Sequence, residues 1–390
     1  MTGCPIPGAQ GTQSPTGLGT SGVLLLGEAM GDHERLAGTG FVEDAPAGSV
    51  LERAIKRSGF RREQFIVWNL VPTQPPNNYL EGAPYEAEAI AWGLDCLDDV
   101  MLRYRPRVVL CLGGLPFKAL TGLDGIMECR GFPVAASRYP GVTVLGTLHP
   151  SFLRRGAMAY MGVLMHDLKF AVALAATSVS AVYTPDKGLH SPFRDVEFWS
   201  PVLWRQVHYD IPFMLSGLNE PVIPPDYCCF PHEQDAMDFL RYTEQDASRL
   251  VAYDIETNYS PGATEDKSDE LEDDAIISIQ FSMAASSGIF MPWRSPFVEI
   301  ARAILETHNP KVGANNWRFD DARLRASKCE VRGTRHDIRW AWKHLQPDLS
   351  GGLQFVTSFY APELAPWKHL SKSHPQVYGI RDVDALMRIV

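Results

Sequence analysis

Two acids one residue apart, Asp254 and Glu256, sit in VAYDIETN, residues 251–258, a stretch with the apolar character of a buried strand. A strand points residues i and i+2 to the same face, so both carboxylates project together. Desolvation and mutual repulsion make that arrangement costly unless a cation or a proton lies between them. Further acids complete a candidate set. NNWRFDDARL, residues 315–324, places Asp320 where a loop enters a helix. VYGIRDVDALMRI, near the end, places Tyr378 and Asp382 at positions i and i+4, on one helical face. Hard oxygen ligands of this kind suit Mg²⁺ or Mn²⁺. Two such ions about 3.5–4 Å apart activate a water and stabilise the leaving oxygen of a phosphodiester. Asp321 and Asp384 lie beside members of the set and read as supporting or surface residues.

A second set occupies the first half. GVLLLGEAMG, QFIVWNLVP, PRVVLCLGG and GVTVLGTLHPS read as apolar strands, separated by helical patterns such as AGSVLERAIKRSGF and YEAEAIAWGLDCLDDVMLRY. Strands alternating with helices imply a parallel sheet covered on both faces, with working residues at the strands' carboxyl ends. Those ends carry Glu28, Asn69 and His149, and Phe41 follows in GTGFVEDAPAGSVL. The set suits a base pocket. An asparagine amide that accepts from N3–H and donates to O4 tells uracil from cytosine, while phenylalanine offers a stacking face to a base turned out of the duplex. A histidine donor at O2 would stabilise the departing base as an anion, and Glu28 or Glu34 would orient water or stabilise a cationic sugar. Arg154 and Arg155, just after His149, are candidate phosphate contacts.

The remainder positions these sets. At 390 residues, 45% hydrophobic and 21% charged, the chain has a globular composition of two or three domains. Residues 1–20 are rich in Gly, Pro, Ser and Thr and read as a flexible tail; 177–231 read as a connector. HEQDAMDFLRYTEQDASR reads as an amphipathic helix, followed by the strands LVAYDIET, AIISIQFSMA and SGIFMPW, then helices from about 297 onward. The apolar region MGVLMHDLKFAVALAA is broken by His166, Asp167 and Lys169, so no membrane span is expected. Seven cysteines without a CxxC pair suggest the reduced thiols of a cytoplasm. Net charge is −10, of which the solvated run TEDKSDELEDD, 264–274, supplies −6. Basic clusters elsewhere keep nucleic acid open as a partner.

The order DIET, NxxFD, YxxxD resembles the three exonuclease motifs of the DEDD superfamily, in its tyrosine-containing branch. It is most similar to the proofreading domain of family A DNA polymerases, and HDIRWAWKHLQPDLSGGLQFVTSFYAPELAPWK resembles the segment between the second and third motifs. The resemblance covers about residues 232–390. It implies a ribonuclease H-like domain that hydrolyses DNA from single-stranded 3′ ends. Asp254, Glu256, Asp320 and Asp382 would ligate two Mg²⁺ or Mn²⁺ ions, and Tyr378 would orient the attacking water. No polymerase motif follows, and ALMRIV closes without a helix stop, which suggests the front part of a family A polymerase with a polymerase domain or subunit as partner.

GEAMGDHE, WNLVPTQPPNN and TLHPSFLRRG resemble the motifs of the uracil-DNA glycosylase superfamily, closest to its family 4 type, over about residues 22–175. By position Glu28, Ala29 and Glu34 match the first motif, Phe41 the stacking residue, Asn69 and Asn78 the second, and His149 the third. Met30 stands where the family has proline. Family 4 binds an iron–sulfur cluster through four cysteines; here Thr73 occupies one of those positions, and Cys96 is displaced by about a turn of helix from another. No cluster is expected. The combined expectation is an α/β chain: a parallel-sheet α/β/α glycosylase-like domain over 21–176, then a ribonuclease H-like exonuclease domain over 232–390. The competing reading is a DNA-binding accessory whose glycosylase site is vestigial, and DNA or RNA as the nuclease substrate stays open.

Overall fold

The computed structural model describes residues 3–180, 223–258 and 275–390. The acidic run 264–274 and connector residues 181–222 lie outside them. The chain divides into two compact units, Met1–Glu220 and Pro221–Val390.

In the first unit, β1 (Val23–Ala29), β2 (Ile66–Val71), β3 (Val108–Leu112), β4 (Pro133–Ala135) and β5 (Thr143–Thr147) form one sheet in the order β2-β1-β3-β5-β4. All pairs are parallel except β4 with β5. The sheet is therefore mixed, with a three-residue antiparallel strand at the edge. One face packs Leu24, Leu26, Trp68 and Cys111 with Leu97 and Val100 of α3 (Glu86–Tyr104) and Phe117 of α4 (Gly114–Thr121). The alternate residues Leu25, Val67, Leu110 and Leu145 are equally buried. Against the sheet also lies α7 (Met161–Ser180), in contact with β3, β5 and α2 (Pro46–Arg57). Burial from both sides makes each strand a continuous apolar run, and each such side chain contributes roughly 1.5–3 kcal/mol.

By length and composition α7 is apolar enough to cross a bilayer. It nonetheless carries Asp167, which is fully buried and receives Arg130 Nε at 2.9 Å, a second contact from Arg130 Nη2, and Thr147 Oγ1 at 2.6 Å. The helix is thus tied to Thr147 of β5 by a hydrogen bond and to the segment before β4 by a charge pair.

The expected flexible tail is a correction. From residue 3 onward the segment is laid along β2 and its loop: Gln10 exchanges two backbone bonds with Gln74, Gln13 N donates to Pro72 O, and Thr16 pairs with Val67. Ile6 and Gln13 are buried. Gly-rich composition here serves turns that keep the strand-edge hydrogen bonds, and the backbone pairing outweighs the chain's entropy.

In the second unit, β6 (Asp226–Cys228), β7 (Val251–Thr257), β8 (Ile276–Ser282), β9 (Ser287–Pro292), β10 (Lys311–Gly313) and β11 (Arg335–Asp337) form a sheet in the order β11-β10-β7-β8-β9-β6. β7-β8-β9 is an antiparallel meander, and β10 and β11 run parallel to β7. Strands β10 and β11 interrupt the stretch read as helices only; three residues are too few to carry a period. Strand β6 brings residues assigned to the connector into this sheet, parallel to β9.

The last helix, α13 (Pro375–Ile389, with α8 Glu233–Glu244, α9 Phe297–Glu306, α10 Asp320–Ala326, α11 Ile338–Leu345 and α12 Leu353–Tyr360 before it), packs across β7, β8 and β9. Gly379 permits this approach, since a Cβ there would fall 2.7 Å from the Gln280 side chain. Asp384 is buried rather than on the surface, and clamps α13 by accepting from Tyr227 Oη at 2.5 Å, Ser286 N at 2.8 Å and Arg388 Nε at 2.9 Å. Asp321 likewise anchors α10, through Tyr253 Oη and Arg335 Nη2, both at 2.7 Å.

Replacing Asp167 by Ala would strand the Arg130 guanidinium in the core beside it. Chemical denaturation of the Asp167→Ala protein is expected to show the first unit's unfolding transition destabilised by about 3–5 kcal/mol.

Candidate functional sites

Strand β7 delivers Asp254 and Glu256 to one face, and α13 crosses that face with Asp382. Ligand oxygens of Asp254, Glu256 and Asp382 all lie within 4.8 Å of one another. Asp320, at the start of α10, joins the same cavity with one oxygen held by Ile255 N at 3.1 Å. Tyr378, one turn before Asp382, also lines it. The four acids and the tyrosine read from the sequence are therefore brought together, in a cavity of about 280 Å³.

Burial, with the neighbouring carboxylates, pushes Asp254 well up. The same two causes, with Lys368 opposing, push Glu256 up to about 8, and burial pushes Asp320 up to about 7. Two residues missed in the sequence reading support the site: Lys368 lines the cavity, and the buried Trp367 reaches Asp382 from behind. Lys368 Nζ donates to Tyr378 Oη at 2.9 Å and lies 3.6 Å from Asp382; Trp367 Nε1 donates to the same Asp382 oxygen at 2.9 Å. Their only sequence signal is a Trp–Lys pair inside an apolar stretch. The donor set is all hard oxygen and fits Mg²⁺ or Mn²⁺.

In the first unit Gly27 of β1 stands opposite Asn69 of β2. A Cβ on Gly27 would fall 2.2 Å from Asn69 Oδ1 and 2.4 Å from the Phe41 ring, so glycine keeps open the space between amide and ring. The rings of Phe41 and His149 lie 5.7 Å apart. His149 Nδ1 accepts from Ser151 N at 3.1 Å and contacts Ser151 Oγ at 2.6 Å, so the ring proton resides on Nε2. Burial, aided by Arg155, lowers His149 to about 4, and the ring is neutral near pH 7. Burial and the carboxylates of Glu81 and Glu86 raise Glu28, against an opposing effect of Arg155. Arg154 and Arg155 are both exposed, and Arg155 Nη1 donates to Ser151 Oγ at 3.4 Å.

Glu34 and Asn78 are engaged elsewhere. Glu34 spends both oxygens on backbone amides, Gly31 N at 2.6 Å and Phe41 N, and so holds Phe41 in its left-handed conformation (φ 49°) rather than meeting water. Asn78 is exposed and tied to Gln74 and Asp32 at 2.9 and 3.0 Å, outside the base pocket. Ala29 packs beside the cluster of Ile6, Val71, Leu80 and Ala89. Conversely Gln13, unassigned from the sequence, is buried with its Oε1 accepting from Asn69 Nδ2 at 3.0 Å.

Thr73, at one of the cysteine positions, donates to Gly11 O at 2.8 Å and Gln10 O at 3.1 Å. Cys4 is exposed and Cys96 buried, and neither is bonded to a second cysteine. Met30 N donates to Val71 O at 3.3 Å, a bond the family's proline would forgo.

Comparison with known proteins finds relatives of the first unit. The uracil DNA glycosylase superfamily model matches residues 16–169. Two type-4 uracil-DNA glycosylases are similar: that of Thermotoga maritima, 32% identical over 34% of this chain and 66% of its own, and that of Pyrobaculum aerophilum, 33% identical over 34% of this chain and 68% of its own. The chain belongs to the uracil DNA glycosylase superfamily. A third type-4 enzyme, from Archaeoglobus fulgidus, is 35% identical over 23% of this chain and 43% of its own. The chain thus spans about two thirds of the length of the two longer-matching relatives. The crystal structure of Pedobacter heparinus SMUG2 aligns with 42% of this chain and 75% of its own, at 13% identity and a TM-score of 0.29. The superfamily match lies wholly within the first unit.

The raised carboxyls of the second unit set its pH response. A carboxyl whose folded value exceeds its unfolded one costs the fold nothing in acid, and destabilises it as pH rises through the folded value. Without divalent ions, the second unit's melting temperature is expected to fall between about pH 4 and pH 8, from the ordinary carboxylate range to the raised value of Glu256. Mn²⁺ is expected to restore it, more at the alkaline end; scanning calorimetry in chelator and in Mn²⁺ checks both.

Proposed function

We propose that this chain is a two-site DNA-processing enzyme, combining uracil excision in the first unit with metal-dependent 3′→5′ hydrolysis in the second. The first half of the reading is carried by the neutral His149 beside Phe41 and Asn69, within a uracil DNA glycosylase superfamily domain. A flipped uracil would stack on Phe41 and meet Asn69, its carbonyl accepting from N3–H and its amide donating to O4. As the C1′–N1 bond breaks, its electrons pass to the base and charge grows on O2. The His149 Nε2–H donates there, which a neutral ring does without surrendering its proton. Glu28 stands to steady the cationic sugar and take the proton of the attacking water. The Thr73 bonds to Gln10 and Gly11 tie the N-terminal segment down where relatives would use a cluster.

The second half is carried by the convergence of Asp254, Glu256 and Asp382, with Asp320 in the same cavity. Strand order also supports a ribonuclease H-like reading: an antiparallel meander followed by two parallel strands beside its first member. The four carboxylates would hold the ions, which supply an activated water and charge neutralisation at the phosphodiester. Tyr378 orients that water through its hydroxyl, which Lys368 fixes.

Two assays separate the halves. On a uracil-containing oligonucleotide, strand breaks after alkali are expected, and His149→Ala is expected to slow their appearance by about 10²–10³-fold. On a single strand with a free 3′ end, Mn²⁺-dependent shortening is expected, and Asp254→Ala is expected to abolish it. Intact uracil with wild-type protein would leave the first unit a binding module, and shortening that survives Asp254→Ala would move the metal site elsewhere.

A further inference from the structure

Beyond the carboxylates, the cavity's rim carries two large aromatic side chains in solvent. Trp317 is 55% exposed and Trp340 47% exposed. Trp317 and Arg318 lie between the cavity-lining residues Asn315 and Phe319; Trp340 directly follows Arg339, which lines the cavity as well. One buried carboxylate joins the two segments. Asp337 Oδ1 accepts from Asn315 N at 3.0 Å and from Trp340 N at 3.2 Å, tying the loop after β10 to the first turn of α11. The Arg318 guanidinium then rests over the Trp340 ring, 5.8 Å from its centroid.

Single exposed apolar side chains are ordinary, but two indoles beside one cavity, held by a shared carboxylate, offer broad flat faces of the kind enriched at binding surfaces. Asp337 makes their placement a built feature rather than two chance side chains. Planar faces interleaved with guanidinium groups match one chemistry: bases stack on indole and Arg planes while the phosphates between them meet cations. An apolar peptide would bury the indoles but leave Arg318 and Arg339 without counter-charge. A duplex offers no free base faces. We propose that Trp317, Arg318 and Trp340 form a stacking platform for the unpaired bases of a single-stranded nucleic acid whose end enters the carboxylate cavity. The proposal rests on the nuclease reading only for the direction of entry; the platform itself is independent of hydrolysis.

The test uses the full-length protein in two measurements. Binding of fluorescent dT and rU octamers, and of an abasic octamer of equal charge, is followed by anisotropy in chelator, where no hydrolysis occurs. Hydrolysis of the p-nitrophenyl ester of thymidine 5′-monophosphate with Mn²⁺ reads the cavity alone, because this substrate has no second base to reach the rim. Trp317→Ala/Trp340→Ala is expected to weaken octamer binding by about tenfold or more, the scale of losing a base–aromatic stack, and to leave ester hydrolysis unchanged. Trp340→Phe, which keeps a stacking face, is expected to retain most of the binding, and the abasic octamer to bind wild type as weakly as the double variant binds dT. The dT and rU arms show which sugar the platform prefers. Unchanged octamer binding by a folded double variant, or abasic binding as tight as dT, overturns the proposal. An inactive wild type toward the ester with Trp-dependent octamer binding intact sinks the nuclease reading and leaves the platform standing.

Discussion

Carboxylates do not gather in a half-closed cavity unless something forces them together, and in the second unit that something is backbone geometry. The pleat of β7 sets Asp254 and Glu256 on one face, opposite Gln280 and Ser278 of β8. The helix α13 is pressed onto the sheet at Gly379 and clamped by Asp384, which brings Asp382 into the same few ångströms. Repulsion among these groups is offset by packing elsewhere, and partly by the Lys368 ammonium. A scaffold that holds like charges this way offers a set of hard oxygen donors of the kind that suits a divalent cation.

The first unit solves a related problem with the opposite sign. Burial keeps His149 neutral, and Ser151 directs its ring proton to Nε2. A neutral donor suits a reaction in which an anionic base must be stabilised and then released. Support comes from behind: Glu34 holds Phe41 by its backbone, Arg62 Nη2 bonds Gly40 O at 2.7 Å, and Gln13 braces Asn69. In both units the candidate site residues sit where strands end or helices begin, so small shifts of regular elements translate directly into their geometry.

Much of this was legible in the residues. Strands buried on both faces announce themselves as apolar runs, and β1, β2, β3 and β5 did so. Asp254, Glu256, Asp320, Tyr378 and Asp382 were readable because strand and helix periods fix which side chains share a face. What stayed hidden depends on contacts distant in sequence. Glu34 looked like a catalytic acid until its two backbone partners, set by a turn, became visible. Asn78 matched a motif yet faces Asp32 and Gln74. Gln13 lay in a segment whose composition suggested a loose tail, while its pairing with β2 and its loop is a tertiary fact. Lys368 carried no periodic signature, and β10 and β11 were too short for one.

Metal binding by the crowded acids of the second unit is the property most directly open to measurement. Anomalous diffraction from crystals soaked in Mn²⁺ reads this directly. Manganese peaks between the side chains of Asp254, Glu256 and Asp382, absent in crystals of Asp382→Asn, are the predicted result. A Mn²⁺-soaked crystal with an ordered, empty cavity, or with manganese bound only at other carboxylates, would contradict it.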